Sequence, residues 1–491
     1  MSRLPDFKPR SIATWGGLAW LAATSLIAGG SDLQLLEAVQ RGDREAMLSL
    51  VEQEVDANGS GANGETALHW AAYRNDLEAT QLLISAGANP DAANVYGVTP
   101  LSLACTNRSD LIVHQLLEAG ANPNAAQSTG ETILMACSRT GNLAAVTSLL
   151  SRGADPNGKQ ARWEQTALMW ALASGHSQVA RKLVEHGAEV KARSKEGFTP
   201  LLFAVQQGDL ESVRFLLSKG ADPNYATPKH GNALTVASAS GHEKVGLFLL
   251  GKGADPNSPD DHGVTALHYT MAQGLSLVNS LNYDDAYRMV PNNLSELAKA
   301  LLDKGADPNA QIITRLRLGP DDPATGMGME GATPFFLAAL AGDAAMLREL
   351  VKHGADHRLR AKGNTTPLMA AAGAARGFTQ GTIKKRLGAP EEAVRVVVEL
   401  GADIHAARDD GQTALHAAAV TGEDAIVQYL VDLGAKVEAE DNLGQTPWSM
   451  AAGISPDLGR RGTYGNHQST MDLLLRLGAS RKSRKDMKTI E

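Results

Sequence analysis

Gly64–Ala72 reads GETALHWAA. Related stretches begin at Gly97 (GVTPLSLAC), Gly130 (GETILMACS), Glu164 (EQTALMWAL), Gly197 (GFTPLLFAV), His230 (HGNALTVAS) and Gly263 (GVTALHYTM), at steps of 33, 33, 34, 33, 33 and 33 residues. The series resumes at Gly331 (GATPFFLAA), Asn364 (NTTPLMAAA), Gly411 (GQTALHAAA) and Gly444 (GQTPWSMAA). A second marker falls 23 residues after each early start, at Gly87, Gly120, Gly153, Gly187, Gly220 and Gly253. It recurs as Gly305, Gly354, Gly401, Gly434 and Gly478, usually inside Gly-Ala-Asp/Asn-Pro-Asn. A fixed period of this length is the signature of a repeat array.

Each part of the period has a physical job. Thr66 and its equivalents suit a helix N-cap, where a hydroxyl satisfies orphan backbone amides. Pro100, Pro200, Pro334, Pro367 and Pro447 sit where proline costs a helix nothing. Leu68, Ala71 and Ala72 form a short inner helix whose small residues let neighbours approach. Leu82 and Leu83 lie on an outer helix that the marker glycine ends at C′. The residues from Gly87 to Gly97 then make a polar turn. No repeat hides its apolar face alone, so repeats must stack. Ser31 to Asn63 fits the same frame, Leu35 aligning with Leu68 and Ala38 with Ala71, with Glu54 in the marker glycine's place. Its more polar face suits a capping repeat.

This pattern resembles the ankyrin repeat family. The resemblance covers about residues 31–479, with eleven copies of T-P/A-L-H-x-A and G-A-D-P-N after the capping repeat. It implies an all-α solenoid of about twelve helix–turn–helix repeats with β-turn fingers, and recognition of a protein partner by the concave groove and the fingers. At roughly 8–10 Å per helix layer the stack would be a curved rod on the order of 100 Å long.

Composition agrees with a repeat array and excludes other classes. The chain has 491 residues, 43% apolar and 20% charged, with Lys+Arg 46 against Asp+Glu 54 for a formal charge of −8. Such composition is globular. A mildly acidic chain lacks the basic footprint of a nucleic-acid binder. Two cysteines exclude a disulfide framework or a Cys-rich zinc module. Cys105 and Cys137 fall on inner helices of successive repeats. Helix axes pack about 8–10 Å apart and a disulfide needs Cα atoms within about 7 Å, so two small buried thiols are the expectation.

The first 30 residues read as an export signal. Arg3, Lys8 and Arg10 precede an uncharged stretch from Ser11 to Ser31 containing the apolar run Trp15 to Ala28. Ala28-Gly29-Gly30 then offers small residues before Ser31, where cleavage would fall. The alternative is an uncleaved anchor over residues 11–30, just long enough to span a bilayer. Either way the body is expected in the periplasm or secreted, from a bacterium, as a monomer with no other membrane span. A basic tail, 480–491, closes the chain with Arg481, Lys482, Arg484, Lys485 and Lys488, and reads as a disordered end.

The period breaks in four places, all in the C-terminal half. Inserts fall near 275–293, 312–330, 376–391 and 454–467. The first carries Tyr283, Asp284, Asp285 and Tyr287, and the second Arg315 and Arg317 with a Gly/Pro/Met-rich tip. Long loops often carry function, and neutral loop growth is the alternative. A partner would then lie near the repeats beginning at Gly263, Gly331 and Asn364, or along a stripe set by the residue after the motif histidine: Trp70, Trp170, Phe203 and Tyr269. Trp and Tyr dominate interface energetics, although semi-buried packing between helices would place them equally well. Tyr73, Arg74, Arg139 with Thr140, and Gln206 with Gln207 accompany the stripe.

Chemistry is sparse. Gly326–Gly331 spells G-x-G-x-x-G without the preceding strand that a dinucleotide site needs, and Gly246–Lys252 resembles a P-loop without its Ser/Thr. His69, His268 and His416 hold the repeat's histidine place and are expected to tie backbone. The adjacent pair Asp284/Asp285 reads as solvated loop rather than a cation site. No catalytic, cofactor or metal residues are assigned. The reading is a non-enzymatic protein-interaction scaffold outside the cytoplasm. Its alternatives are a small-ligand sensor or enzyme built by the first two inserts, through Tyr283, Asp284, Asp285, Arg315 and Arg317, and an effector delivered to another cell.

Overall fold

The computed structural model describes residues 33–271, 294–313, 330–373, 389–454 and 466–482. Among them it holds twenty-four α-helices, paired as a short inner and a longer outer helix in each of twelve repeats. No extended sheet strand occurs among the described residues; pairing is confined to isolated bridges at the fingers, such as Ser60 with Thr66 and Ala407 with Thr413.

The chain divides into two compact bodies, one ending at Pro223 and one beginning at Asn224. The N-terminal body carries six repeats, from Gln34–Arg41 and Arg44–Glu52 to Pro200–Gln206 and Leu210–Ser218. The C-terminal body carries six more, from Ala233–Ala239 and Glu243–Gly251 to Pro447–Ala451 and Gln468–Arg476.

Local chemistry sets each helix boundary. The Thr132 hydroxyl accepts from the Met135 N–H at 3.2 Å, and Thr333 does the same for Phe336 at 3.2 Å. Asn232 replaces threonine and accepts from Thr235 N–H at 3.0 Å. The prolines at 100, 200, 334, 367 and 447 open their helices. The marker glycine after each outer helix is left-handed, as at Gly87 with φ 85°, and Glu54 takes its place at φ 55°.

The core is the stack itself. Leu68, Ala71, Ala72 and Leu83 are buried, as are Leu101, Ala104, Ile112 and Leu116 one repeat on. Repeats are also stitched by side chains reaching the last carbonyls of the preceding inner helix, which a helix end leaves unpaired. In the N-terminal body the Asn107 amide donates to Tyr73 O at 2.6 Å, Thr140 Oγ1 to Cys105 O at 3.1 Å, and His176 Nε2 to Arg139 O at 3.0 Å.

The cysteines overturn the expectation of free thiols: Cys105 and Cys137 form a disulfide, with Cα atoms 4.6 Å apart and both side chains fully buried. The axis-to-axis distance was the wrong measure. Cα atoms ride about 2.3 Å off the axis, so two that face each other across axes about 8–10 Å apart come within bonding reach. Cys105 stands in the register of Ala72 and Cys137 in that of Ala71, positions that face one another between successive inner helices. Their separation of 32 residues, one less than the period, is the signal that could have shown it.

Residues 272–293, 374–388 and 455–465 fall between an inner and an outer helix, and 314–329 falls within one finger. That finger is closed at its base: Ile312 N–H donates to Ala332 O at 3.1 Å and Gly331 N–H to Ile312 O at 2.7 Å. Residues 1–30, Tyr283, Asp284, Asp285, Tyr287, Arg315, Arg317, Arg484, Lys485 and Lys488 lie outside the described residues.

Candidate functional site

Inner helices of the N-terminal body present two polar–aromatic clusters. In the first, Trp70 and Tyr73 sit on one helix and meet edge to face, with ring centroids 5.9 Å apart and planes at 84°. Both are half-buried and Arg74 beside them is exposed. The Arg74 guanidinium donates to Gln40 O at 2.7 Å, which pins it to the preceding repeat. In the second cluster two repeats meet. The Arg139 guanidinium lies 5.2 Å from the Trp170 ring centroid and pairs with Glu131 at 3.3 Å. A cation over an indole face contributes about 0.5–2 kcal/mol, and the carboxylate holds the guanidinium in place. Burial pushes the Glu131 carboxyl above its ordinary range, while Arg139 pulls it back down. The indole N–H groups of Trp70 and Trp170 have no acceptor among the described residues.

Not every member of the stripe reaches the surface. Phe203 is 2% exposed and Tyr269 3% exposed. Phe203 packs on Phe198 with centroids 5.4 Å apart. The Tyr269 hydroxyl donates to Asp260 Oδ2 at 2.6 Å, inside the C-terminal body. Burial raises the Asp260 carboxyl, offset by that hydrogen bond. These two rings are core, which corrects their assignment to a partner surface. Trp and Phe share a register position, yet Trp70 and Trp170 are half-buried where Phe203 is enclosed. Gln206 is half-buried at the end of its helix.

The motif histidines are structural. His69 Nδ1 accepts from Thr66 N–H at 3.1 Å, which leaves the proton on Nε2 to donate to Val98 O at 2.9 Å. His268 joins Thr265 N–H to Ala310 O, both at 3.1 Å. His416 joins Thr413 N–H to Gln445 O, both at 3.2 Å. Each therefore ties a helix start to the next finger. Burial lowers all three pKa values, that of His268 to about 4. Among the described residues no group of three or more His, Cys, Asp or Glu is placed to hold a metal ion.

Two features escaped the sequence reading. At the finger tips, Val95 is 65% and Tyr96 38% exposed, and Arg162 lies over the half-buried Trp163 at 4.9 Å. An apolar pair in an otherwise polar turn was the available signal. The second feature is the closing asparagine of Gly-Ala-Asp-Pro-Asn, which clamps one finger to the next. Asn157 Nδ2 donates to Gly187 O at 3.0 Å while its Oδ1 accepts from Glu189 N–H at 2.8 Å. Asn124 does the same to Gly153 O at 2.9 Å and Asp155 N–H at 2.7 Å. The motif aspartate fixes that asparagine: Asp155 Oδ1 accepts from Asn157 N–H at 2.8 Å.

Family models agree with this architecture. A model of ankyrin repeats in three copies matches residues 35–127, 97–160, 133–227 and 385–484, and a single-repeat ankyrin model matches 330–362. Together they span more than half of the chain. No curated protein matches it. No helix among the described residues is long and apolar enough to cross a membrane.

Proposed function

The chain belongs to the ankyrin repeat family, whose members are protein-interaction scaffolds, and from that premise we propose that it holds its partner outside the cytoplasm through the Trp70–Arg74 and Arg139–Trp170 clusters and the finger tips beside them. The reading rests above all on the Arg139–Trp170 cluster. It joins a half-buried aromatic face, an oriented cation and a half-buried carboxylate from two adjacent repeats. Trp, Tyr and Arg are the side chains that carry most binding energy where proteins meet. Val95, Tyr96 and Trp163 extend the apolar area along the fingers. The scaffold reading needs no catalytic group, and the inserts near 275–293 and 312–330 are a separate candidate surface of the C-terminal body.

The buried Cys105–Cys137 bridge supports action outside the cytoplasm, since such bonds persist in oxidising compartments and are rare where thiols are kept reduced. The basic-then-apolar order of residues 1–30 supports the same reading. Two measurements test it. A reporter active only after export, fused behind the intact N-terminus, should be active, and should lose activity when residues 1–30 are removed. Crosslinking in the native envelope should capture a partner that the double variant Arg139→Ala/Trp170→Ala releases with its helical circular dichroism unchanged. Retention of every partner by that variant would remove the cluster from the interface.

A further inference from the structure

Three asparagines of the chain precede glycine, all in the N-terminal body: Asn58-Gly59, Asn63-Gly64 and Asn157-Gly158. This dipeptide is open to loss of its side-chain ammonia, because a residue without Cβ leaves its N–H unshielded for attack on the neighbouring carboxamide. The fold treats the three differently. Gly64 N–H donates to Gly61 O at 2.9 Å and Gly59 N–H to Asp56 O at 3.5 Å. Gly158 N–H takes no acceptor among the described residues. At the same place in other fingers Ala125 N–H turns back to Asn122 O at 3.3 Å and Ala192 N–H to Glu189 O at 3.2 Å, so the turn at Gly158 is left open. The carboxamide beside it is polarised for attack: Asn157 Oδ1 accepts from Glu189 N–H at 2.8 Å, which draws electrons away from Cγ. Asn157 is half-buried, and Asp155 and Lys159 on either side of it are exposed, so water reaches the turn.

We propose that Asn157-Gly158 is a self-modification site, at which the folded chain converts its own finger clamp into an aspartyl or isoaspartyl linkage. The Gly158 nitrogen bonds to Asn157 Cγ and gives up its proton. The Cγ–Nδ2 bond breaks, and the departing group takes up a proton and leaves as ammonia, closing a succinimide ring. Water then opens the ring. Addition at Cγ leaves aspartate; addition at the backbone carbonyl leaves isoaspartate, with the chain running through the side-chain carbon. Either product loses the donor to Gly187 O, which Nδ2 now reaches at 3.0 Å, and adds a negative charge. The fold already carries an aspartate in this place at Asp91, which accepts from Asn122 N–H at 2.7 Å. The consequence is a finger that loosens with age just before Arg162 and Trp163 while its repeats stay folded. The inference does not rest on the scaffold reading.

The test holds the full chain in mildly alkaline buffer, folded and in urea, and follows each asparagine over time by proteolysis and mass spectrometry, with aspartate and isoaspartate separated. In the folded chain Asn157 should convert roughly tenfold faster than Asn58 or Asn63, the rate difference that one hydrogen bond on the attacking N–H makes. In urea no turn holds any of the three amides, and the rates should converge. Gly158→Ala should slow conversion at Asn157 to the level of the other two. That variant keeps the fold, because Gly158 is not left-handed and an added Cβ would meet nothing nearer than Thr132 Cγ2 at 3.4 Å. Aged wild type and fresh Asn157→Asp should both melt below fresh wild type with circular dichroism unchanged. Equal rates at the three sites in the folded chain, a gap that persists in urea, or an aged protein as stable as the fresh one would overturn the proposal.

Discussion

His268 is fully enclosed and neutral, and its neutrality has a cost in acid. Nδ1 must accept from Thr265 N–H while Nε2 donates to Ala310 O, so a second proton would break the first bond inside the core. Its pKa lies near 4 in the folded chain because burial disfavours the charged ring. In the unfolded chain it is about 6.5. A depressed value means that the unfolded state binds the proton first. The contribution is therefore whole above about pH 6.5 and is lost as pH falls towards 4, up to about 3 kcal/mol. The C-terminal body should lose stability across that window, and His268→Gln should flatten the slope; urea midpoints at pH 7.5 and 4.5 would show it, and parallel slopes would refute the account. The sequence disclosed that this histidine belongs to the repeat. It could not disclose that Phe203 and Tyr269 sink into the core while Trp70 and Trp170 stay half-exposed, because all four hold the same place in the period and the pattern does not record how deep each ring lies.

At the level of the element, the finger clamps and the disulfide do the same work by different means: they tie one repeat to the next at the side of the helices. Asp91 stands where the motif has asparagine. Its Oδ1 accepts from Asn122 N–H at 2.7 Å, but a carboxylate has no proton for Gly120 O. Asp91→Asn should supply that missing bond and raise stability by up to about 1 kcal/mol; an unchanged or lower melting temperature would show that the clamp adds nothing there. The bridge should weigh more. Closing a loop of this length by a disulfide contributes about 2–4 kcal/mol through the unfolded state. Cys105→Ala/Cys137→Ala should therefore lower the denaturant midpoint of the N-terminal body and make it insensitive to dithiothreitol, while wild type becomes sensitive once unfolded. Helix starts, stops and period were all legible, since each is a local rule written in one repeat. The clamps and the bridge were less so, because each joins residues of two repeats and needs the register between them. The cysteine spacing, one short of the period, held that information.

On the scale of the molecule, stability follows from nearest neighbours. Within the N-terminal body, and among the described residues, the main helix packing joins each repeat to its neighbours in that body, so the sum of repeats and interfaces sets the total. This predicts that a whole period can be removed where a fraction cannot. Excising Glu164–Glu196 takes out one inner helix of 7 residues and one outer helix of 9 and joins Trp163 to Gly197. The register is preserved: Asn157, which now clamps Gly187 O and Glu189 N–H, would meet Gly220 O and Asp222 N–H in the equivalent loop. Lys191, which stands in the asparagine place of the removed repeat, would go with it. The shortened protein should unfold cooperatively, with circular dichroism reduced by the share of the two lost helices and a modest fall in urea midpoint. Excising Glu164–Ala180 instead leaves an outer-helix fragment without its inner partner and uncovers Leu134 and Val146, now wholly buried. That protein should aggregate or bind a hydrophobic dye. If both deletions aggregate alike, the repeats of this body are coupled beyond their neighbours and the additive picture fails.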